Sequence, residues 1–173
     1  MSEALQALFE GDYERARQLL PPDGELSVFE AAAFGRVERL TEIVREDASQ
    51  AQAFSDDGFT ALHLAVFGKQ EQAARVLLEH GADPNVLARS EFAPVPPLGT
   101  AAFVRSTPLA RVLLDHGADP NRAERGGFTP LHAAAEHGDE ELARLLLERG
   151  ADPTLAADDG RRPADLGLPE LLG

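Results

Sequence analysis

The sequence predicts an all-α solenoid, in which helix pairs stack in a line and short β-hairpin-like fingers join them. Three observations predict it: a nine-residue phrase recurs on a regular beat, a second phrase recurs in phase with it, and the composition favours small aliphatic side chains. Of 173 residues, 43% are hydrophobic but only 6% aromatic, with no Trp. Such a core suits thin layers of small helices better than a large β-sandwich.

The first phrase is Leu-Leu-Glu-His-Gly-Ala-Asp-Pro-Asn, from Leu77 to Asn85. It returns from Leu113 to Asn121, and from Leu146 to Thr154 with Thr at its end. Gly81 to Gly117 is 36 residues, and Gly117 to Gly150 is 33. The second phrase is Asp-Gly-Phe-Thr-Ala-Leu-His-Leu-Ala, from Asp57 to Ala65. Its partner, Gly-Gly-Phe-Thr-Pro-Leu-His-Ala-Ala, runs from Gly126 to Ala134. In both, Thr precedes the next Gly-Ala-Asp glycine by 21 residues.

Together these phrases resemble the ankyrin-repeat family, whose 33-residue unit carries a Thr-Pro-Leu-His-x-Ala signature and two antiparallel helices. The resemblance covers nearly the whole chain. It implies a non-enzymatic, protein-binding solenoid. The residues give each part a physical reason. Thr60 and Thr129 stand where a hydroxyl caps the first helix, and Pro130 stands where a missing N–H costs nothing. Leu62 and Leu131 point to the inter-repeat core, while Ala65 and Ala134 let paired helices approach. Val76, Leu77, Leu145 and Leu146 form the buried side of the second helix. Gly81, Gly117 and Gly150 end that helix at positive φ.

The beat extends outward. A helix pair is expected from Phe29 to Val44, without the Thr-Pro start, and another from Leu5 to Leu20, ended by Pro21-Pro22. Gly11 to Gly35 is only 24 residues, so no full finger fits between those pairs. Downstream, Arg162 takes the Thr place and Asp165 the His place. The expected organisation is a single domain over 1–173. It comprises an N-terminal cap (1–24), repeats at 25–57 and 58–92, an irregular repeat at 93–126, a repeat at 127–158 and a truncated cap at 159–173.

The irregular repeat departs most from the pattern. Its finger is three residues longer than the next and carries Pro94, Pro96 and Pro97. Pro96 replaces Thr and Gly99 replaces His. Neutral drift in a tolerant loop and a binding loop both account for the insertion.

Chemistry is sparse. With no cysteine, disulfides and thiolate nucleophiles are excluded. No two histidines lie i, i+4 on one helix, so no metal and no cofactor is expected. His63 and His132 read as structural partners of the capping Thr, and His80 and His116 as helix C-terminal residues. Asp83, Asp119 and Asp152 read as turn residues. No phosphate loop or activated nucleophile appears, and no catalysis is expected.

A net charge of −14 repels nucleic acid and anionic lipid, so neither is an expected partner. It suits a basic protein surface, although solubility alone is the commoner reason for such charge. The N-terminus lacks a secretory pattern and no stretch is long enough to span a bilayer, so a soluble, cytoplasmic monomer is expected.

The resemblance implies binding on a concave face made by the fingers and first helices. The candidate contact residues are Phe34, Phe67, Phe103, Arg89, Glu91, Phe92, Glu136 and His137. Phe67 and Phe103 are expected to be exposed, whereas Phe59 and Phe128 are expected to fill space beneath the fingers. The function expected is an adaptor or other protein-interaction module; an inhibitor or immunity-type subunit that occludes one enzyme is the alternative.

Overall fold

In the computed structural model, which describes residues 1–90 and 94–172, the fold is all-α and repetitive, with no extended strand among the described residues. Contacts divide the chain into two units, Met1–Asp83 and Pro84–Gly173. The first unit holds three helix pairs: α1 (Glu3–Phe9) with α2 (Tyr13–Gln18), α3 (Val28–Ala33) with α4 (Val37–Glu46), and α5 (Ala61–Phe67) with α6 (Glu71–Glu79). Among its described residues the second also holds three: α7 (Pro97–Phe103) with α8 (Thr107–Asp115), α9 (Pro130–Glu136) with α10 (Glu140–Glu148), and α11 (Pro163–Leu166) with α12 (Pro169–Leu172).

Within each unit, first helices pack on first helices and second on second. In the first unit α3 packs on α5 and α4 on α6; in the second α7 packs on α9, α8 on α10 and α9 on α11. The core is Leu and Ala throughout. Leu62, Leu77, Leu113, Leu131 and Leu146 are completely buried. Ala65 and Ala134 are too, which permits the close helix approach that their size suggested.

Five of the six first helices described can be compared by the N-cap residue and the residue three positions on, and one local device joins the two in four of them. The N-cap and the residue three positions on are Ser27 and Glu30, Thr60 and His63, Pro96 and Gly99, Thr129 and His132, and Arg162 and Asp165. In four pairs the second side chain accepts the N-cap N–H. The acceptors are Glu30 Oε2 at 3.0 Å, His63 Nδ1 at 3.4 Å, His132 Nδ1 at 3.1 Å and Asp165 Oδ2 at 2.8 Å. Pro96 has no N–H to donate, so no acceptor is required at Gly99. A Cβ added at Gly99 would lie 2.7 Å from Val95 Cγ2, so a side chain there would force Val95 to shift.

The fingers close with the same economy. Ser55 N–H donates to Phe59 O, Glu124 to Phe128 O and Ala157 to Arg161 O, each at 2.8 Å. In the irregular finger Ala88 N–H donates to Val95 O at 3.0 Å. That pair is seven residues apart rather than four, three more than in the other fingers.

Candidate functional site

The turns that display the surface are held from repeat to repeat by asparagine. Asn85 Nδ2 donates to Gly117 O at 2.9 Å, and Asn85 Oδ1 accepts from Asp119 N–H at 2.7 Å. Asn121 repeats both bonds one unit later, to Gly150 O at 3.0 Å and from Asp152 N–H at 2.8 Å. Within each turn Asp119 Oδ1 accepts from Asn121 N–H, and Asp152 Oδ1 from both the N–H and hydroxyl of Thr154. Those bonds, led by the Thr154 hydroxyl, hold the Asp152 carboxyl below the usual aspartate range.

Four of the five histidines, His63, His80, His116 and His132, make structural hydrogen bonds. His132 is completely buried; its Nδ1 meets Thr129 Oγ1 at 2.8 Å and accepts the Thr129 N–H, while Nε2 lies 3.1 Å from Arg161 O. The network therefore has Nδ1 accepting and Nε2 donating, to the Arg161 carbonyl. His80 and His116 each place Nδ1 2.8 Å from the carbonyl four residues back, Val76 O and Val112 O. Among the described residues no group of three or more His, Asp or Glu is placed to hold a metal ion. None of the described helices is long and apolar enough to cross a membrane.

In the first unit, the structure corrects the expectation of an exposed Phe67. The Phe67 and Phe9 ring centroids are 4.5 Å apart, and Phe9 also meets Phe59 at 5.7 Å. Phe34 joins the same half-buried cluster, over Leu5, Leu8 and Leu64. The cause is local. Ala33 offers only a methyl at the end of α3, and a Cβ at Gly68 would collide with the Ala33 carbonyl oxygen. The ends of α3 and α5 therefore close up, and rings from α1 and α5 meet beside them.

In the second unit, Phe103 is the last residue of α7 and is 67% exposed. Glu136 holds the equivalent place on the adjacent α9, followed by His137, and both are exposed. Arg89, on the irregular finger, is exposed as well. Glu91 and Phe92 lie outside the described residues. Phe128 packs on His132 with centroids 5.2 Å apart, and the Arg161 guanidinium covers its ring at 5.2 Å. Arg161 is bound to Asp159 at 2.7 Å, a contact that lowers the Asp159 pKa and raises that of Arg161; Glu136 adds to the rise. Partial desolvation lifts the Glu124 carboxyl, although the residue keeps exposed surface.

Sequence reasoning missed three features. The Ser27-Val28-Phe29-Glu30 capping box was visible as Ser-x-x-Glu. The Asn85 and Asn121 bridges were signalled by the recurrence of Asn after Asp-Pro. The Arg161–Phe128 stack carried no linear signal, because its partners come from different fingers.

A stack of short helix pairs with internally capped starts, Asn-bridged turns and closed fingers defines a helical-repeat binding scaffold. The comparisons give the family. The model for ankyrin repeats (3 copies) matches residues 1–88 and 93–157, and the chain belongs to the ankyrin-repeat family. The chain is 35% identical over 74 residues to "Ankyrin repeat and SOCS box protein 3" of Bos taurus, covering 42% of this chain and 14% of that protein. It is 54% identical over 46 residues to "Potassium channel AKT3" of Oryza sativa subsp. japonica, covering 27% of this chain and 5% of that one. "Palmitoyltransferase akr1" of Schizosaccharomyces pombe shares 34% identity over 61 residues, 35% of this chain and 10% of that protein. The matched stretch is thus a small part of each of these relatives. Ankyrin repeats are protein–protein interaction modules, and the family is generally non-enzymatic.

Proposed function

We propose that this chain is a non-enzymatic adaptor that holds a partner protein on the second unit, with Phe103 as the anchor. The observation that carries this reading is the 67% exposure of Phe103 in a chain whose other helix-end phenylalanines, Phe9 and Phe67, are packed together. An exposed ring beside polar neighbours has the character of an interface hot spot. Arg89, Glu136 and His137 supply the polar rim, and the acidic excess favours a partner with a basic surface and speeds encounter.

The test is capture from the native cytosol with wild type and Phe103→Ala, followed by the stoichiometry of the reconstituted complex. A partner held by wild type and lost by the variant supports the reading. Two partners held at once mark an adaptor, and one tight partner that loses its own activity marks an inhibitor-type subunit. Equal capture by both proteins removes Phe103 from the interface.

A further inference from the structure

The first unit contains a cleft of about 330 Å³ whose lining includes Leu5, Ser27, Phe29, Glu30, Phe54 and Asp56. It lies where the starts of α1 and α3 meet the first finger. Its chemistry is uneven: apolar and aromatic walls, and two carboxylates. Glu30 is only 8% exposed. Its Oε2 is taken by the Ser27 N–H at 3.0 Å and the Ser27 hydroxyl at 2.8 Å, and among the described residues no hydrogen bond engages Oε1. Asp56 is exposed and has no ion pair among the described residues. The Met1 ammonium, also at this cleft, is paired elsewhere, with Asp57 at 3.2 Å.

A largely buried carboxylate with one oxygen fixed by Ser27 and the other open to the cleft is a pre-oriented acceptor for a charge-assisted hydrogen bond. Phenylalanine walls add attraction for a cation and cover an aliphatic stem. An anion is disfavoured by Glu30 and Asp56, and a purely apolar ligand would leave both without partners. We infer that the cleft at Glu30, Phe29, Phe54 and Asp56 receives a cationic side chain, arginine or lysine, from a basic partner protein. The source of that side chain rests on the protein-binding reading above; the cleft's preference for a cation does not.

The test is chemical-shift mapping of the full chain with Nα-acetyl-arginine methylamide, using the uncharged citrulline counterpart as control. Saturable shifts at the Ser27, Phe29 and Asp56 amides with arginine but not citrulline are expected. Glu30→Gln keeps the capping bond to Ser27 and is expected to weaken binding about tenfold, as loss of one charge-assisted contact would. Asp56→Asn gives a second, exposed variant that does not touch the cap. Equal shifts with citrulline, or none with arginine at tens of millimolar, overturn the inference. Phe103→Ala leaves these shifts unchanged, so a cleft that fails while a partner is still captured sinks this site alone.

Discussion

His132 Nε2 lies 3.1 Å from Arg161 O, so a buried side chain in one repeat fastens the backbone of the next finger. The same imidazole also accepts the Thr129 N–H and meets its hydroxyl. His132→Ala leaves Arg161 O and the Thr129 groups without these bonds and opens a void. The expected loss is about 2–4 kcal/mol by denaturant unfolding. A loss below about 0.5 kcal/mol would show that water or a local shift replaces the network.

Leu77 is completely buried in the second helix of its repeat. Leu77→Ala is expected to cost about 2–5 kcal/mol and lower the melting temperature. An unchanged melting temperature would contradict the packing described here.

Lys69 and Arg105 have φ of 57° and 53°, at the turn position where Gly138 has 64°. A side chain in that region costs about 1 kcal/mol, partly offset by the unfolded-state freedom that glycine adds. Lys69→Gly and Arg105→Gly are expected to leave stability unchanged or raise it by up to about 1 kcal/mol, whereas Gly138→Ala lowers it by about 1 kcal/mol. Destabilisation by both glycine variants would mean that the two side chains contribute packing or charge at the turn.

Acid titration separates two kinds of carboxylate. Asp47, Asp152, Asp159 and Asp165 are held below their ordinary values, first by side-chain hydrogen bonds in Asp47, Asp152 and Asp159 and by the Arg162 N–H in Asp165. Groups with depressed folded pKa contribute stability that is present above their unfolded pKa and lost as pH falls through the folded one. Glu124 has the opposite sign, because desolvation raises its pKa and protonation relieves that penalty. Stability is therefore expected to fall below about pH 4, and Glu124→Gln is expected to raise it at neutral pH. Chemical denaturation between pH 2 and 7 checks both; a Glu124→Gln protein less stable at pH 7 would show that the carboxylate is a favourable partner there.

Most of the fold was legible because the repeat writes local rules into the chain. Thr60 with His63 and Thr129 with His132 announce helix starts within four residues, and the same spacing located Arg162 with Asp165 despite their different side chains. The extra length of the irregular finger was countable and appears as the Ala88–Val95 closure. The surface was less legible. Phe67 and Phe103 hold the same terminal position on α5 and α7, yet one ring is packed and the other exposed. Their difference arises from Phe9, more than fifty residues before Phe67, and from the contact between Gly68 and Ala33. No periodicity encodes such a meeting. The cleft at Glu30 was hidden for a related reason, since it forms only when the starts of α1 and α3 meet a finger.

The most direct test of partner binding is the affinity of the captured partner for wild type and Phe103→Ala, with the melting temperature of each measured in parallel. The account predicts at least a tenfold weaker Kd, a loss of about 1.4 kcal/mol, at an unchanged melting temperature. An unchanged Kd would place the interface elsewhere, and an unfolded variant would show that Phe103 belongs to the core.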